Sequence, residues 1–363
     1  MKITNIKIGF LSVPLKTPFK TALRTVHNIN DVIVEVHTDT GNIGYGEAAP
    51  TGVITGDTTG AIIGAIEDHI TKSLIGLDIE DIETIMLKLN NCIVKNYSAK
   101  AAVDIAIYDL FGQLHKAPIY KLLGGHRKEL ITDITISVND PDEMAKDSLQ
   151  AISLGYKTLK IKVGKDANKD IERMKAIRKA VGYDINLRID ANQGWQPKEA
   201  VKALRKMEDA GLNIEFVEQP VLAHDIVGFK HVTDNVDIPT LADESVFSAH
   251  DALEILQTRS ADMINIKLMK TGGIHNARRI ISIAEVYGVE CMIGCMLESK
   301  ISVSAAAHLA AAKSIITKID LDGPILCSED SICGGISFEE YKITLNDKPG
   351  LGIESINNLI YKE

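Results

Sequence analysis

Hydrophobic and polar positions follow two different rhythms along the chain. The opening "MKITNIKIGF" alternates as a strand does. "DVIVEVHT" and "IGYGEA" flank the turn "DTGN" and predict an antiparallel hairpin. Between them and the start lies "PLKTPFKTALRTVHN", whose two prolines and four basic residues predict a loop. Helical periodicity follows near 58–73, near 79–95 and through "SAKAAVDIAIYDLFGQLHKAPIYKLLGG". A hairpin followed by helices describes an α+β unit. From Thr132 the rhythm changes. Eight short apolar runs ("TDITISV", "TLKIKVG", "INLRIDAN", "IEFVEQP", "IPTLADE", "DMINIKL", "ECMIGCM" and "ITKIDLDG") alternate with amphipathic helical stretches such as "NKDIERMKAIRKAV". Crossovers long enough for a helix imply a parallel sheet, and eight such units close a (β/α) barrel. After Ile332, "CGGISFEEYKITLNDKPGLGIESI" reads as a return to the first unit. The expected division is residues 1–125, with about 335–363 returning, and a barrel over 126–334.

The polar residues that close the barrel strands add chemistry to this frame. Lys162, Asp190, Glu218, Asp243, Lys267, Cys295 and Asp320 recur every 24–28 residues, so each falls at the same end of its strand. In a barrel that end is the active-site face. Asp190, Glu218 and Asp243 lie on consecutive units, where their charges would converge. Any one alone could cap the next helix. Three in register without His or Cys suit a hard, oxygen-seeking cation, most simply Mg²⁺. Lysines flank them: Lys160 and Lys162 leave one face of the second strand, and Lys267 follows on the sixth. Two lysines could snorkel at a sheet edge. With a third opposite, they frame a site that moves a proton across a substrate plane, the cation holding a carboxylate and stabilising an enediolate. Lys270 reads as a loop residue, and His115 and His126 as surface or packing residues.

Charge and cysteine content narrow the partners. Forty basic residues against 49 acidic ones leave a net charge of −9, which argues against nucleic acid or an anionic membrane as partner. No apolar run reaches membrane-spanning length, and the first residues lack a signal peptide's apolar core, so a cytoplasmic protein is expected. The five cysteines form no CxxC pair and suggest buried or incidental thiols.

Taken in order, "KIKVG", "RIDANQGW", "FVEQP", "LADES" and "INIKLMKTGGI" resemble the successive signatures of the enolase superfamily, in its muconate-lactonizing-type subgroup, and "PFKTALRT" and "IGYGEAAP" extend the likeness to the first unit. Its lysine-plus-Mg²⁺ chemistry is a familiar pattern. The resemblance implies a modified TIM-type (β/α) barrel with an N-terminal α+β capping domain completed by the C-terminal segment. Within the subgroup the chain is most similar to dipeptide epimerases. That likeness implies Lys162 and Lys267 as bases on opposite faces of the α-carbon, with Lys160 assisting. It implies Asp190, Glu218 and Asp243 as Mg²⁺ ligands, and Asp320 and Asp322 of "IDLDGP" as partners of a dipeptide's ammonium group. Arg24 would meet a Glu side-chain carboxylate. Cys295, Met296 and Leu297 would line the pocket, with "VITGDT" (53–58) near it and Val26 a position where relatives differ. A dipeptide substrate and a homo-oligomer are the expected partners. The enzyme rivals are o-succinylbenzoate synthase and N-acylamino acid racemase, whose substrates lack the ammonium group. A Schiff-base aldolase leaves three carboxylates unexplained, and a silent barrel scaffold leaves the whole set so.

Overall fold

A computed structural model describes all residues, Met1–Glu363. The opening alternation becomes β1 (Ile3–Lys20), which pairs antiparallel with β2 (Thr25–Thr38), which pairs in turn with β3 (Ile43–Ala48). The segment expected as a loop is therefore mostly strand. A register irregularity between Pro14 and Phe19 absorbs both prolines, since a bulged stretch tolerates a missing N–H. Only Thr21–Arg24 remain as the connection between the two strands.

Helix Tyr97–Leu114 lies against this sheet and is buried along almost its whole length. Its close approach depends on Gly46 of β3, where a Cβ would overlap the Ala102 carbonyl oxygen. Two carboxylates on the helix reach outward. Asp104 accepts hydrogen bonds from the N–H groups of Ile274 (2.6 Å) and His275 (3.2 Å), and Asp109 from those of Leu351 (2.7 Å) and Tyr45 (3.1 Å). The helix thus ties the first sheet to the barrel and to the C-terminal segment. That segment divides: Ser337–Glu339 and Lys342–Thr344 form a sheet with β4 (Glu129–Ile131), while Ile360–Tyr361 pairs with β1.

The eight predicted barrel strands all form: β5 (Ile134–Ile136), β6 (Thr158–Lys162), β7 (Asn186–Asp190), β8 (Ile214–Glu218), β9 (Thr240–Ala242), β10 (Met263–Ile266), β11 (Cys291–Gly294) and β12 (Ile316–Asp320). They pair in sequence order, all parallel, from β5 to β12. The two outer strands meet at a seam crossed by one backbone bond, Asp133 N–H to Ile319 O (3.3 Å). Side chains complete it: Leu321 N–H donates to Thr132 Oγ1 (2.9 Å) and Thr135 N–H to Asp322 Oδ2 (2.7 Å). Faces pointing outward join the continuous core under the helices. Inside the barrel, Phe216, Leu241, Met263 and Met292 form a separate apolar plug at the lower end. Apolar packing below leaves the upper end for polar groups.

Helix Lys300–Ala312 carries a wholly buried histidine, His308, whose Nδ1 accepts a hydrogen bond from the Tyr120 N–H at 3.1 Å. Burial pushes its imidazole from the ordinary 6.5 down to about 3. The unfolded chain therefore takes up a proton that the folded chain refuses. Stability from this group is complete above pH 6.5 and is lost as the pH falls toward 3, at about 1.4 kcal/mol per pH unit. His308→Gln, which keeps an acceptor for Tyr120, is expected to flatten this slope. Urea midpoints measured between pH 6.5 and 5 check it, and identical slopes for both proteins would discard it.

Candidate active site

Strand register places the chemistry. Lys162 lies beside Asp190, and Asp190 beside Glu218, at the C-terminal ends of β6, β7 and β8. Glu218 lies beside Leu241, so Asp243 comes two residues later, just past β9. Lys267 follows β10 directly, four strands around the barrel from Lys162 and so across its mouth. The pleat sends Lys160 and Lys162 to the same inner face, with Lys160 one step deeper.

All of these groups are buried, and the ammonium groups bridge the carboxylates. Lys160 Nζ lies 2.7 Å from Glu218 Oε2, 2.7 Å from Asp320 Oδ2 and 3.2 Å from Asp190 Oδ2. Lys162 Nζ lies 2.6 Å from Asp190 Oδ2, and Lys267 Nζ 2.7 Å from Asp243 Oδ2. Burial and the nearby charges of Asp190 and Asp243 push the Glu218 carboxyl up to about 8. Asp243 is equally buried, which opposes its charge, but Lys267 and Lys270 hold it below the ordinary carboxylate range. For Lys267 burial opposes the ammonium form, but Asp243 together with Glu218 and Asp320 outweighs it, raising the group above an ordinary lysine. Lys267 is thus held as an ion-paired ammonium group.

Around this centre lies a pocket of ≈ 570 Å³ that includes Lys160, Lys162 and Lys267 in its lining. Arg24, Cys295, Met296, Leu297, Asp320 and Asp322 line the same pocket. Asp320 pairs with Lys160, and burial followed by the charge of Asp320 pushes Asp322 up to about 6. The Arg24 guanidinium, half-buried at the mouth, has no ion-pair partner in the chain. Of the 53–58 loop only Val53 and Ile54 reach the pocket. Val26 does not line it: it stands opposite Phe19 in the β1–β2 ladder and packs against a small apolar cluster that includes Leu297 of the pocket wall.

Lys270 requires correction. It is not a loop residue but is fully buried, with Nζ 2.7 Å from Asp243 Oδ1 and bonded to the carbonyl oxygens of Asp243, Val246 (3.1 Å) and Asn265 (3.1 Å). Sequence reasoning also passed over Asn265, whose amide donates to Glu218 Oε1 (2.7 Å), and Gln219, whose Oε1 accepts from the N–H groups of Asp243 (3.0 Å) and Ser245 (3.1 Å). Phe19 was missed as well; its ring centroid lies 5.9 Å from Lys162 Nζ. Asn265 carried a signal, since it lies two residues before Lys267 and so shares its face.

The donor set fits a hard divalent cation. Its groups are all oxygens, and two of them, Glu218 Oε2 and Asp243 Oδ1, are buried without a well-directed hydrogen bond although an ammonium nitrogen lies 2.7 Å from each. The acids do not close into a ligand cage by themselves. Like charges this close need positive charge between them, and lysine ammonium groups supply it here.

This arrangement has known counterparts. Residues 143–358 match the family model described as enolase C-terminal domain-like, and residues 4–124 match the N-terminal domain of mandelate racemase and muconate lactonizing enzyme. The chain belongs to the enolase superfamily. Among its relatives in the superfamily, an L-Ala-D/L-Glu epimerase from Clostridium acetobutylicum is 65% identical over 99% of this chain and 100% of its own length. A substrate-liganded L-Ala-D/L-Glu epimerase structure from Bacillus subtilis superposes with a TM-score of 0.97 at 52% identity, covering 98% of this chain and 99% of that one. A dipeptide epimerase from Enterococcus faecalis, complexed with Mg and the dipeptide L-Leu-L-Tyr, superposes with a TM-score of 0.95 at 46% identity, covering 98% of this chain and 100% of the other.

Proposed function

We propose that this protein is a Mg²⁺-dependent dipeptide epimerase that inverts the α-carbon of the C-terminal residue in L-Ala-D/L-Glu-type dipeptides. The observation that carries the reading is a single pocket holding Lys162 and Lys267 on opposite walls and Asp320 and Asp322 beside them. Similarity to epimerases over nearly the full chain supports it. Asp190, Glu218 and Asp243 would hold the ion. When bound, it supplies positive charge that offsets the three carboxylates and the charge developing on the substrate's own carboxylate.

The chain's residues do the rest. Lys162 and Lys267 stand on opposite faces of the α-carbon; one, neutral, removes the α-proton, and the other, as an ammonium, returns a proton from its own side. The reverse reaction exchanges their roles. Lys160, a step deeper, contributes positive charge beneath the substrate carboxylate. Asp320 and Asp322 pair with the dipeptide's ammonium group, which an N-acylated substrate lacks. Arg24, with its planar guanidinium free, meets the side-chain carboxylate of Glu. Cys295, Met296 and Leu297 shape the wall between them.

The capping unit of this reading comprises residues 1–125 with about 335–363, and 126–334 form the catalytic barrel. In support, Phe19, Thr21, Leu23, Arg24, Val53 and Ile54 line the pocket at the barrel mouth and Ile360–Tyr361 pairs with β1, whereas the 337–344 hairpin pairs with β4, within the barrel bounds.

Incubating the protein with L-Ala-L-Glu and other L,L-dipeptides in D₂O with Mg²⁺ tests the reading by mass spectrometry. One deuterium is expected at the α-carbon of the C-terminal residue, with the L,D-epimer formed. Prior treatment with EDTA is expected to abolish both, and added Mg²⁺ to restore them. Absence of exchange from every dipeptide, or full activity in EDTA, overturns it.

A further inference from the structure

Beneath the site lies a buried ion pair that does not reach the pocket. Arg188 of β7 stands two residues before Asp190, so its side chain leaves the same inner face, beside Lys160 in the ladder. Its guanidinium reaches toward β5, β8 and β12. Nη1 donates to Asp133 Oδ2 (2.7 Å), just ahead of β5, and to the Ile319 carbonyl oxygen (3.3 Å) of β12. Nε donates to Glu215 Oε2 (2.7 Å) of β8. A planar fork of donors can divide itself in this way, and a point-like ammonium group cannot.

Stability alone is a weak account of such a pair, since apolar residues of similar volume often serve as well or better. Location is what distinguishes this one. Ile319 directly precedes Asp320, and its carbonyl oxygen also receives the Asp133 N–H, the one backbone bond across the seam. Thr135, two residues after Asp133, donates its N–H to Asp322. Both contacts of the guanidinium at the seam therefore end close, along the chain, to the two carboxylates assigned to the substrate's ammonium group. β12 has a backbone ladder on its β11 side only, whereas β7 has ladders on both sides. Arg188 ties the less supported strand to the better supported one.

We propose that Arg188 is a positioning residue for substrate recognition. Through Asp133 and the Ile319 carbonyl it fixes β5 and β12 at the seam, so that Asp320 and Asp322 stand where the ammonium group of the dipeptide meets them. The proposal rests on the dipeptide epimerase reading and adds to it a residue that acts on binding of the ammonium group, from outside the pocket.

Arg188→Met alone would leave the Asp133 carboxylate buried without its partner, so the test replaces both, as Arg188→Met with Asp133→Asn. KM for L-Ala-L-Glu is expected to rise about tenfold, the scale of one hydrogen bond to a charged group, with kcat within about threefold of wild type. Mg²⁺ affinity by calorimetry is expected to stay at the wild-type value. Propionyl-L-Glu has the same carbon frame without the ammonium group, and its inhibition constant is expected to change less than threefold. Should the double variant fail to fold, Arg188→Lys keeps the charge without the fork and is expected to raise KM about threefold with the same pattern. An unchanged KM, a fall in kcat as large as the rise in KM, a loss of Mg²⁺ affinity, or equal weakening of propionyl-L-Glu overturns the positioning role while the epimerase reading stands. Wild-type protein that exchanges no dipeptide overturns both.

Discussion

Lys162→Ala and Lys267→Ala are each expected to lower epimerisation by about 10³-fold or more, within the range that a positioned acid or base supplies. Loss of rate alone would not separate catalysis from damage to the fold. The distinguishing result lies in isotope exchange. Each variant keeps one lysine, so each is expected to wash deuterium into only one epimer of the dipeptide, and the two variants into opposite ones. The asymmetry follows from the separation of β6 and β10 by four strands, which puts the two ammonium groups on opposite sides of anything bound between them. A variant that epimerises at the wild-type rate removes its lysine from the mechanism. Exchange of both epimers by a single variant would show that the two bases are not confined to separate faces.

The second large effect is at Asp243. Its two oxygens face two buried ammonium groups, Lys267 at Oδ2 and Lys270 at Oδ1. Asp243→Asn leaves both without their carboxylate, and removing one member of a buried ion pair typically costs about 3–5 kcal/mol. The variant is expected to lose that much stability in urea unfolding, to lose turnover, and to bind Mg²⁺ weakly or not at all by calorimetry. Double replacement, Asp243→Asn with Lys270→Met, is expected to recover part of the stability without recovering activity. A stable single variant with normal Mg²⁺ affinity would take Asp243 out of the cation site.

The barrel was legible because every strand after β5 announces itself twice, once by a short apolar run and once by a polar residue at its end. A parallel sheet holds such end residues at one level, so Lys162, Asp190 and Glu218 could be aligned by counting and are neighbours in the ladder. Lys270 was not legible by the same means. It sits three residues beyond Lys267 in the turn Leu268–Thr271, and nothing in its spacing says whether the side chain faces water or folds back under Asp243. The 14–28 segment misled for a related reason. Prolines usually mark a loop, but here the register irregularity of β1 accommodates them, and only the pairing with β2 reveals it. Phe19 and Thr135 owe their places in the pocket to the docking of one sheet over another, a long-range contact with no local signature. The C-terminal return was visible as a change of rhythm. Its division between β4 and β1 was not, since short strands do not name their partners.

The seam between β5 and β12 has a consequence for how this barrel tolerates change. Everywhere else around the sheet, ladders of backbone hydrogen bonds lock neighbouring strands at a fixed height, and a shift in one strand must be followed by the next. At the seam the closure is made by Thr132, Thr135 and Asp322, with one backbone bond between them. Asp320 and Asp322 stand on that margin. The strand end that would greet the substrate's first residue is therefore held by a backbone ladder on its β11 side only, while the strands carrying Asp190 and Glu218 are held by ladders on both sides. A change at this edge disturbs one ladder rather than two, and the residues proposed to hold the cation stand where the sheet is held on both sides. Amide hydrogen exchange would register the contrast as faster exchange at Thr135 and Leu321 than at Ile189 and Val217.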